Sequence, residues 1–371
     1  MLSGDEMQQK IPQLDAVRGI AILLVLMVNT SEKYPSLHLE HFFGNGWMGV
    51  DLFFVLSGFL ITGILLDSKH SKDYFKNFYA RRCLRILPLY YSVLVLMFAL
   101  VPFLRSSEAH IIFEKSSPWW AYPLFLQNFL IAVPTLTPGP LGVSWSLAIE
   151  EQFYLVWSLI VRYFSLAKLK RIAVSIIFLS PVVGFYLSTH HLITYSNVFC
   201  RIVGPMMGSL LALIIRSEGF QSSKFLKRAW LVFSAAAILA FLCEALNARW
   251  LAFFFVALAA ASFIYLALFS PQRWLQAVLR NRFLIFTGTI SYGLYLLHKI
   301  PFDAAQSFRL DSQPALALPL ILLAAYAMAF LSWNLLEKPF LRLKRFFPSG
   351  AVHLDHLAPS SLPTSNKQVL T

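Results

Sequence analysis

The sequence predicts an all-α polytopic membrane protein of about ten transmembrane helices. Three observations carry that prediction. The 371 residues are 58% hydrophobic and only 13% charged, with a mean hydropathy of +0.64, too apolar for a soluble domain of this length. The apolar residues fall in separate runs near the ~20 residues that a helix needs to cross a bilayer's hydrocarbon core. The Lys and Arg behind the net charge of +13 cluster between those runs, as the positive-inside rule produces. Most of the basic excess is therefore assigned to topology, and nucleic acid is not an expected partner.

Residues 1–10 are polar and read as a short cytoplasmic N-terminus. The first span runs from about Ile11 to Val28, with Pro12 well placed in a first helical turn. Asp15 and Arg18 interrupt it and, three apart, can pair on one face. With no small-residue cleavage site after it, this run is expected to stay as a span. The second span, Trp47 to Leu66, contains Asp51. Lys69, Lys72, Lys76, Arg81, Arg82 and Arg85 then mark the cytoplasmic side, and a third span follows from about Ile86 to Leu104.

The stretch from Pro118 to Pro134 is apolar but short and holds Gln127 and Asn128. If it spanned, Arg162, Lys168, Lys170 and Arg171 would lie on the wrong side. If it is re-entrant or interfacial, every later basic loop falls in the cytoplasm. Charge therefore favours about ten spans with both termini inside. After Val143 to Phe164, later spans begin near Ile172, Ile202, Ala229, Trp250, Phe283 and Ala315. Residues 11–345 read as one membrane domain without internal repeats. Residues 346–371, rich in Ser, Pro, Thr and Ala, read as a disordered tail. Cys83, Cys200 and Cys243 show no metal-ligand spacing, and no metal site is expected.

The run from Val143 to Phe164 carries two adjacent carboxylates, Glu150 and Glu151. An ionisable group at that depth costs roughly 2.5–3.5 kcal/mol on insertion scales, so it faces a cavity or a partner. Glu150 and Tyr154 are one turn apart and share a face; Glu151 points elsewhere. One reading makes Glu150 the centre around which other helices gather. The other makes it a carboxylate that pairs with a buried Arg to fix packing. Asp51 raises the same question. Around it, Gly46, Gly49, Gly58 and Gly63 let helices approach closely, with Ser57 in the same run. Arg18 and Asn29 lie nearly three turns apart on one face, roughly 16 Å along the axis, suggesting a path, although Arg18 snorkelling to headgroups is the plain alternative. Arg81, Arg82 and Arg85 suit phosphate through bidentate geometry, or simply signal topology. His298, near a span's end, is weak by itself.

Six stretches together resemble the integral-membrane acyltransferase family 3, whose members O-acylate carbohydrates: LDAVRGIAILLVLMVN, GVDLFFVLSGFLIT, FKNFYARRCLRILPLYY, WSLAIEEQFYLVW, ISYGLYLLH and LEKPF. They occur in the family's order and cover most of residues 11–345. The resemblance implies a bacterial inner-membrane enzyme that takes an acyl group, most often acetyl, from acyl-CoA on the cytoplasmic side. The acceptor would be a hydroxyl of a lipid-linked or envelope sugar on the other. No bound cofactor is implied. The site would comprise Glu150, Arg18 and Asn29 at the transfer centre. Arg81, Arg82, Arg85, Asp51, Ser57, Trp145, Tyr154 and His298 would contact substrates. The family pattern places a His ten intervening residues after the Arg; here that position is Asn29. A His can take a proton near neutral pH, and an amide cannot.

Three outcomes follow from that departure. Glu150 acts as base while Asn29 positions the acceptor or an oxyanion; His38 or His41 folds back into the site; or the chain has lost transferase activity and serves as a transporter, sensor or scaffold for lipid or glycan. The enzyme is the favoured reading, because the other motifs are intact. Some family members carry a fused extracytoplasmic hydrolase-like domain, so this chain is expected to finish transfer alone or with a separate partner. An unrelated ion-coupled transporter is suggested only by the intramembrane charges.

Overall fold

The structure, a computed structural model, describes residues 11–34, 38, 43–100, 118–131, 140–307 and 313–348. Residues 1–10, His41 and 349–371 lie outside it. Among the described residues there is no strand.

α1 (Pro12–Lys33) starts with proline at its first position, where the missing N–H costs nothing. A 3₁₀ turn, Gly44–Trp47, leads into α2 (Met48–Asp67). α3 (Tyr74–Val95) continues into a π turn, Leu96–Leu100. The short α4 (Gln127–Ile131) precedes α5 (Trp145–Tyr163) and α6 (Leu166–Thr189). α7 (Val198–Arg201) turns into α8 (Val203–Ile215), followed by α9 (Ser222–Ala245) and α10 (Arg249–Phe269). Four short helices come next: α11 (Arg273–Leu279), α12 (Arg282–Thr289), α13 (Ser291–Leu297) and α14 (Lys299–Ser307). α15 (Pro314–Ser332) runs through a π turn, Trp333–Glu337, into α16 (Lys338–Arg342) and a 3₁₀ turn, Leu343–Phe346.

Among the described residues seven helices are long and apolar enough to cross a membrane, or eight if Arg282–Thr289 and Ser291–Ala305, bent by 61°, make one span. The expected count of about ten is not confirmed among the described residues, and α3 and α5 are the further helices of comparable length. Both form helices, but α3 carries Lys76, Arg81, Arg82 and Arg85, and α5 carries Glu150, Glu151 and Arg162. That is more charge than an ordinary span holds. α3 also begins before the expected third span, because the basic residues from Lys76 to Arg85 form its first half instead of a loop. In the apolar stretch after Pro118, the only α-helix among the described residues is the five-residue α4, far short of the ~20 residues a crossing needs. Trp119, Trp120 and Leu124 are exposed there, while Gln127 and Asn128 are buried.

α2 is the axis of the molecule and packs against α1, α5, α8 and α10. Small residues make this possible. A Cβ on Gly58 would strike the Pro205 carbonyl of α8, and one on Gly208 would strike the Val55 carbonyl of α2, so neither backbone can retreat. At the basic end, Arg216 donates two hydrogen bonds of 3.0 Å to Asp67 and ties α8 to α2. α6 and α9 lie at the periphery, with only 22% and 11% of their most apolar stretches buried, as suits helices facing lipid.

One face of α2 is not sealed. Between Val50 and Leu65 every residue is buried except Phe53, Ser57, Leu60 and Ile64, and Asp67 continues the series. Steps of four and three residues place these positions on one helical stripe. The stripe runs nearly the whole length of the central helix.

Candidate active site

Glu150 lies in the second turn of α5 and Tyr154 one turn further on. The shared face read from the sequence becomes a hydrogen bond: the Tyr154 hydroxyl donates to Glu150 Oε2 at 3.1 Å. The same phenol oxygen is 2.6 Å from Ser57 Oγ on the open stripe of α2. A phenol has one proton, and here it is directed at the carboxylate, so the Ser57 hydroxyl donates to Tyr154. Tyr154 is 4% exposed, whereas Ser57 and Glu150 at the two ends of the chain are half-buried. The middle of the relay is closed and its ends are open.

Arg82 of α3 completes this centre. Its guanidinium stands 5.8 Å from the Tyr154 ring centroid and 5.9 Å from that of Phe78, within the range of cation–π attraction. The charges of Arg82 and Arg85 both act on Glu150. Glu151, the next residue along, is coupled by charge to Glu150, Arg82 and Tyr154.

The cations gather at the basic end. Arg18 forms its ion pair with Asp15 on its own helix, and the charges of Arg82 and Arg85 reach it. Lys344, from the far end of the chain, is acted on by Arg85, Arg82, Arg81 and Arg18. Arg81 donates to the carbonyls of Phe347 at 2.8 Å and Lys344 at 3.3 Å, which clamps the C-terminal turn onto α3. Five basic side chains therefore converge from α1, α3 and the C-terminal turn. Lys344 was not singled out in the sequence, because it sits in a basic run that reads as topology. Glu337, from the LEKPF stretch, is buried, accepts from Ser332 Oγ at 2.9 Å and lies within reach of Arg85's charge.

Asp51 and Trp145 belong elsewhere. Asp51 pairs with Arg201 at 3.1 Å, with both side chains fully buried. The Arg201 guanidinium sits among five rings: Phe253 at 4.2 Å, Tyr195 at 5.1 Å, Trp145 at 5.3 Å, Phe54 at 5.6 Å and Trp47 at 5.9 Å. Sequence reading missed Arg201. The one signal available was a lone charge at the start of an otherwise apolar run, where it passed for a loop residue.

Asn29 is half-buried, and its amide nitrogen donates to the Val25 carbonyl at 2.8 Å. Between Asn29 and Arg18 the same face of α1 presents Ile22 and Val25, both buried in an apolar cluster with Phe54, Trp145 and Ile149. The two polar positions are separated by packed hydrocarbon, and the open stripe belongs to α2. His298 is fully buried. Its Nδ1 lies 2.8 Å and 3.1 Å from the carbonyls of Tyr295 and Leu294, which fixes the proton on Nδ1 and leaves Nε2 an acceptor without a partner. His38 has a left-handed backbone, φ 50°. Among the described residues no group of three or more His, Cys, Asp or Glu could hold a metal. Cys83 is exposed, and Cys200 and Cys243 are buried free thiols.

Similar proteins frame this geometry. The chain is 26% identical over 360 residues to the peptidoglycan O-acetyltransferase OatA of Listeria monocytogenes, covering 89% of this chain and 55% of that protein. It is 29% identical over 361 residues to YrhL of Bacillus subtilis, provisionally named a peptidoglycan O-acetyltransferase, covering 89% and 54%. A Staphylococcus aureus protein provisionally named an O-acetyltransferase is 27% identical over 358 residues, covering 89% and 57%. The chain thus spans about half the length of the curated relatives it matches. No solved structure matches it. The acyltransferase domain of family 3 matches residues 11–334, which include every residue of the Glu150–Tyr154–Ser57 centre, and the chain belongs to that family.

Proposed function

We propose that this protein is a membrane O-acyltransferase that moves an acetyl or similar short acyl group from acyl-CoA to a sugar hydroxyl of a cell-envelope polymer or lipid-linked glycan. One observation carries the reading. A cluster of basic side chains meets the Glu150–Tyr154–Ser57 chain beside the open stripe of α2, in a member of an acyltransferase family.

Arg82, Arg85, Arg18 and Lys344 offer an anion-binding surface suited to the phosphates of CoA. Arg81 contributes less, since two carbonyls hold its guanidinium. By the positive-inside rule this end faces the cytoplasm of a bacterial inner membrane, where acyl-CoA is found. The acceptor arrives from the opposite end. Because OatA and YrhL are named for peptidoglycan, a peptidoglycan hydroxyl is the first acceptor to test. Glu150, through Tyr154, takes up the proton that an attacking hydroxyl loses. Holding thioester and hydroxyl together supplies much of the rate. Asn29 does no acid–base work, its amide being neutral and partly spent on its own helix. A separate extracytoplasmic partner is compatible with the scheme.

The test uses membranes containing the protein, labelled acetyl-CoA and envelope glycans. Label is expected in base-labile O-acetyl groups with the wild type and not with Glu150→Ala. Transfer that survives both Glu150→Ala and Arg18→Ala would overturn the site. A second reading, a binding protein without transferase activity, is favoured by Asn29 in the place of a His. It predicts CoA binding without acetyl transfer to any glycan.

A further inference from the structure

We infer that Ser57 is the nucleophile of this enzyme and carries the acyl group as an ester between donor and acceptor. The inference rests on the O-acyltransferase reading above and adds a covalent step to it.

Geometry supplies the first argument. An activated nucleophile needs a base within hydrogen-bond reach and a third group that orients the base. Ser57 Oγ lies 2.6 Å from the Tyr154 oxygen, and Tyr154 is held at 3.1 Å by Glu150. Because the phenol's proton is committed to Glu150, the serine is the donor in its own bond. A proton can thus leave Oγ in the direction catalysis requires. Arg82, over the Tyr154 ring, stabilises negative charge that passes through the phenol.

Position supplies the second. Ser57 is flanked on α2 by nine residues towards Met48 and ten towards Asp67, so about 14–15 Å of helix separates it from either end. Donor and acceptor, coming from opposite ends, can react directly only if both reach this level at the same time. An ester at the midpoint lets the thioester and the sugar hydroxyl come in turn, each from its own end, so that only the acyl group changes sides.

Accessibility supplies the third. Between Val55 and Phe59 the backbone is locked by the carbonyl contacts with Gly208 and Pro205. All of those residues are buried except Ser57. The open stripe extends from Ser57 through Leu60 and Ile64 towards the basic end, and through Phe53 towards the other.

In the first half-reaction Oγ attacks the thioester carbonyl carbon. Its proton passes to the Tyr154 oxygen as Tyr154 passes its own to Glu150. The C–S bond breaks, and the departing thiolate takes the proton from Glu150 to leave as free CoA thiol. In the second, a sugar hydroxyl attacks the Ser57 ester, its proton follows the same chain, and Oγ recovers a proton as the ester bond breaks. No oxidant or reductant is consumed.

The test incubates the detergent-solubilised full chain with labelled acetyl-CoA and no acceptor, followed by denaturation and peptide mapping by mass spectrometry. One acetyl group is expected on Ser57, as an ester released by alkaline hydroxylamine and discharged when acceptor is added. Ser57→Ala should lose both label and transfer. Ser57→Cys should trap the acyl group as a thioester cleaved by neutral hydroxylamine, which shows that a position-57 variant is folded. Tyr154→Phe should slow the loading of Ser57. Ser57→Ala that transfers acetyl at the wild-type rate, or label on another residue, overturns Ser57 as carrier while the transferase reading stands. A wild type that neither labels nor transfers overturns both.

Discussion

Removing Arg201 should damage this protein more than removing Asp51, although the two form one ion pair. They meet at 3.1 Å with no exposure, and taking one partner from such a pair costs about 3–5 kcal/mol. The cage makes the cost unequal. Five aromatic faces surround the guanidinium at 4.2–5.9 Å. Ring faces are negative, so they continue to hold a cation when Asp51 is gone, at about 0.5–2 kcal/mol per desolvated contact. The same faces oppose a bare carboxylate. Arg201→Met is therefore expected to cost about 3–5 kcal/mol, Asp51→Asn about 1–2 kcal/mol less, and the double variant Asp51→Leu/Arg201→Met less than Arg201→Met alone.

The chain contains its own probe. Cys200 is buried next to Arg201, and Cys243 is also buried, while Cys83 is exposed. In a Cys83→Ser background, labelling by a thiol-reactive dye during heating reports opening of the fold. A loss of about 3 kcal/mol raises the open fraction some 100-fold, at 1.4 kcal/mol per factor of ten. Equal stability of Arg201→Met and the parent, or a double variant weaker than Arg201→Met, would refute the reasoning.

Other expectations follow from packing and charge. Gly58→Ala and Gly208→Ala each force a methyl into a backbone carbonyl of the facing helix and should cost about 1–3 kcal/mol, read as folded yield after size exclusion. A double-mutant cycle on Asp67 and Arg216, a bidentate and partly exposed pair, should give a coupling of about 1 kcal/mol. Arg82→Ala/Arg85→Ala should raise KM for acetyl-CoA at least ~10-fold, since a charge-assisted hydrogen bond contributes about 1.5–3 kcal/mol. Arg81→Ala should instead release the C-terminal turn, detected as faster proteolysis within 344–348, because that guanidinium holds the turn's carbonyls.

What could be read in the sequence was periodicity and cost. Apolar runs announced the helices, and Glu150 with Tyr154 announced a shared face, because both follow from a 3.6-residue repeat. The span count was not legible to the same degree. Counting by loop charge treats Lys76 to Arg85 as a boundary, whereas α3 winds straight through it. Partners from distant elements were illegible for a different reason. Nothing local to Ser57 says that a phenol 97 residues away will meet it, and nothing local to Asp51 names a cation 150 residues on. The path suggested for α1 shows the converse error: Arg18 and Asn29 do share a face, but Ile22 and Val25 fill the space between them.

Asp51 and Glu150 began as the same puzzle, a carboxylate at membrane depth, and their surroundings answer it in opposite ways. Asp51 has a full cation, no exposure and an aromatic wall, which hold it in one place. Glu150 has hydroxyl groups for hydrogen-bond partners, Tyr154 foremost, partial exposure, and cations that act on it without forming an ion pair within 4.0 Å among the described residues. It can accept a proton and return it without dismantling a salt bridge, and acyl transfer asks that of its base. Of the two, the carboxylate with the poorer electrostatic partner is the one equipped for chemistry.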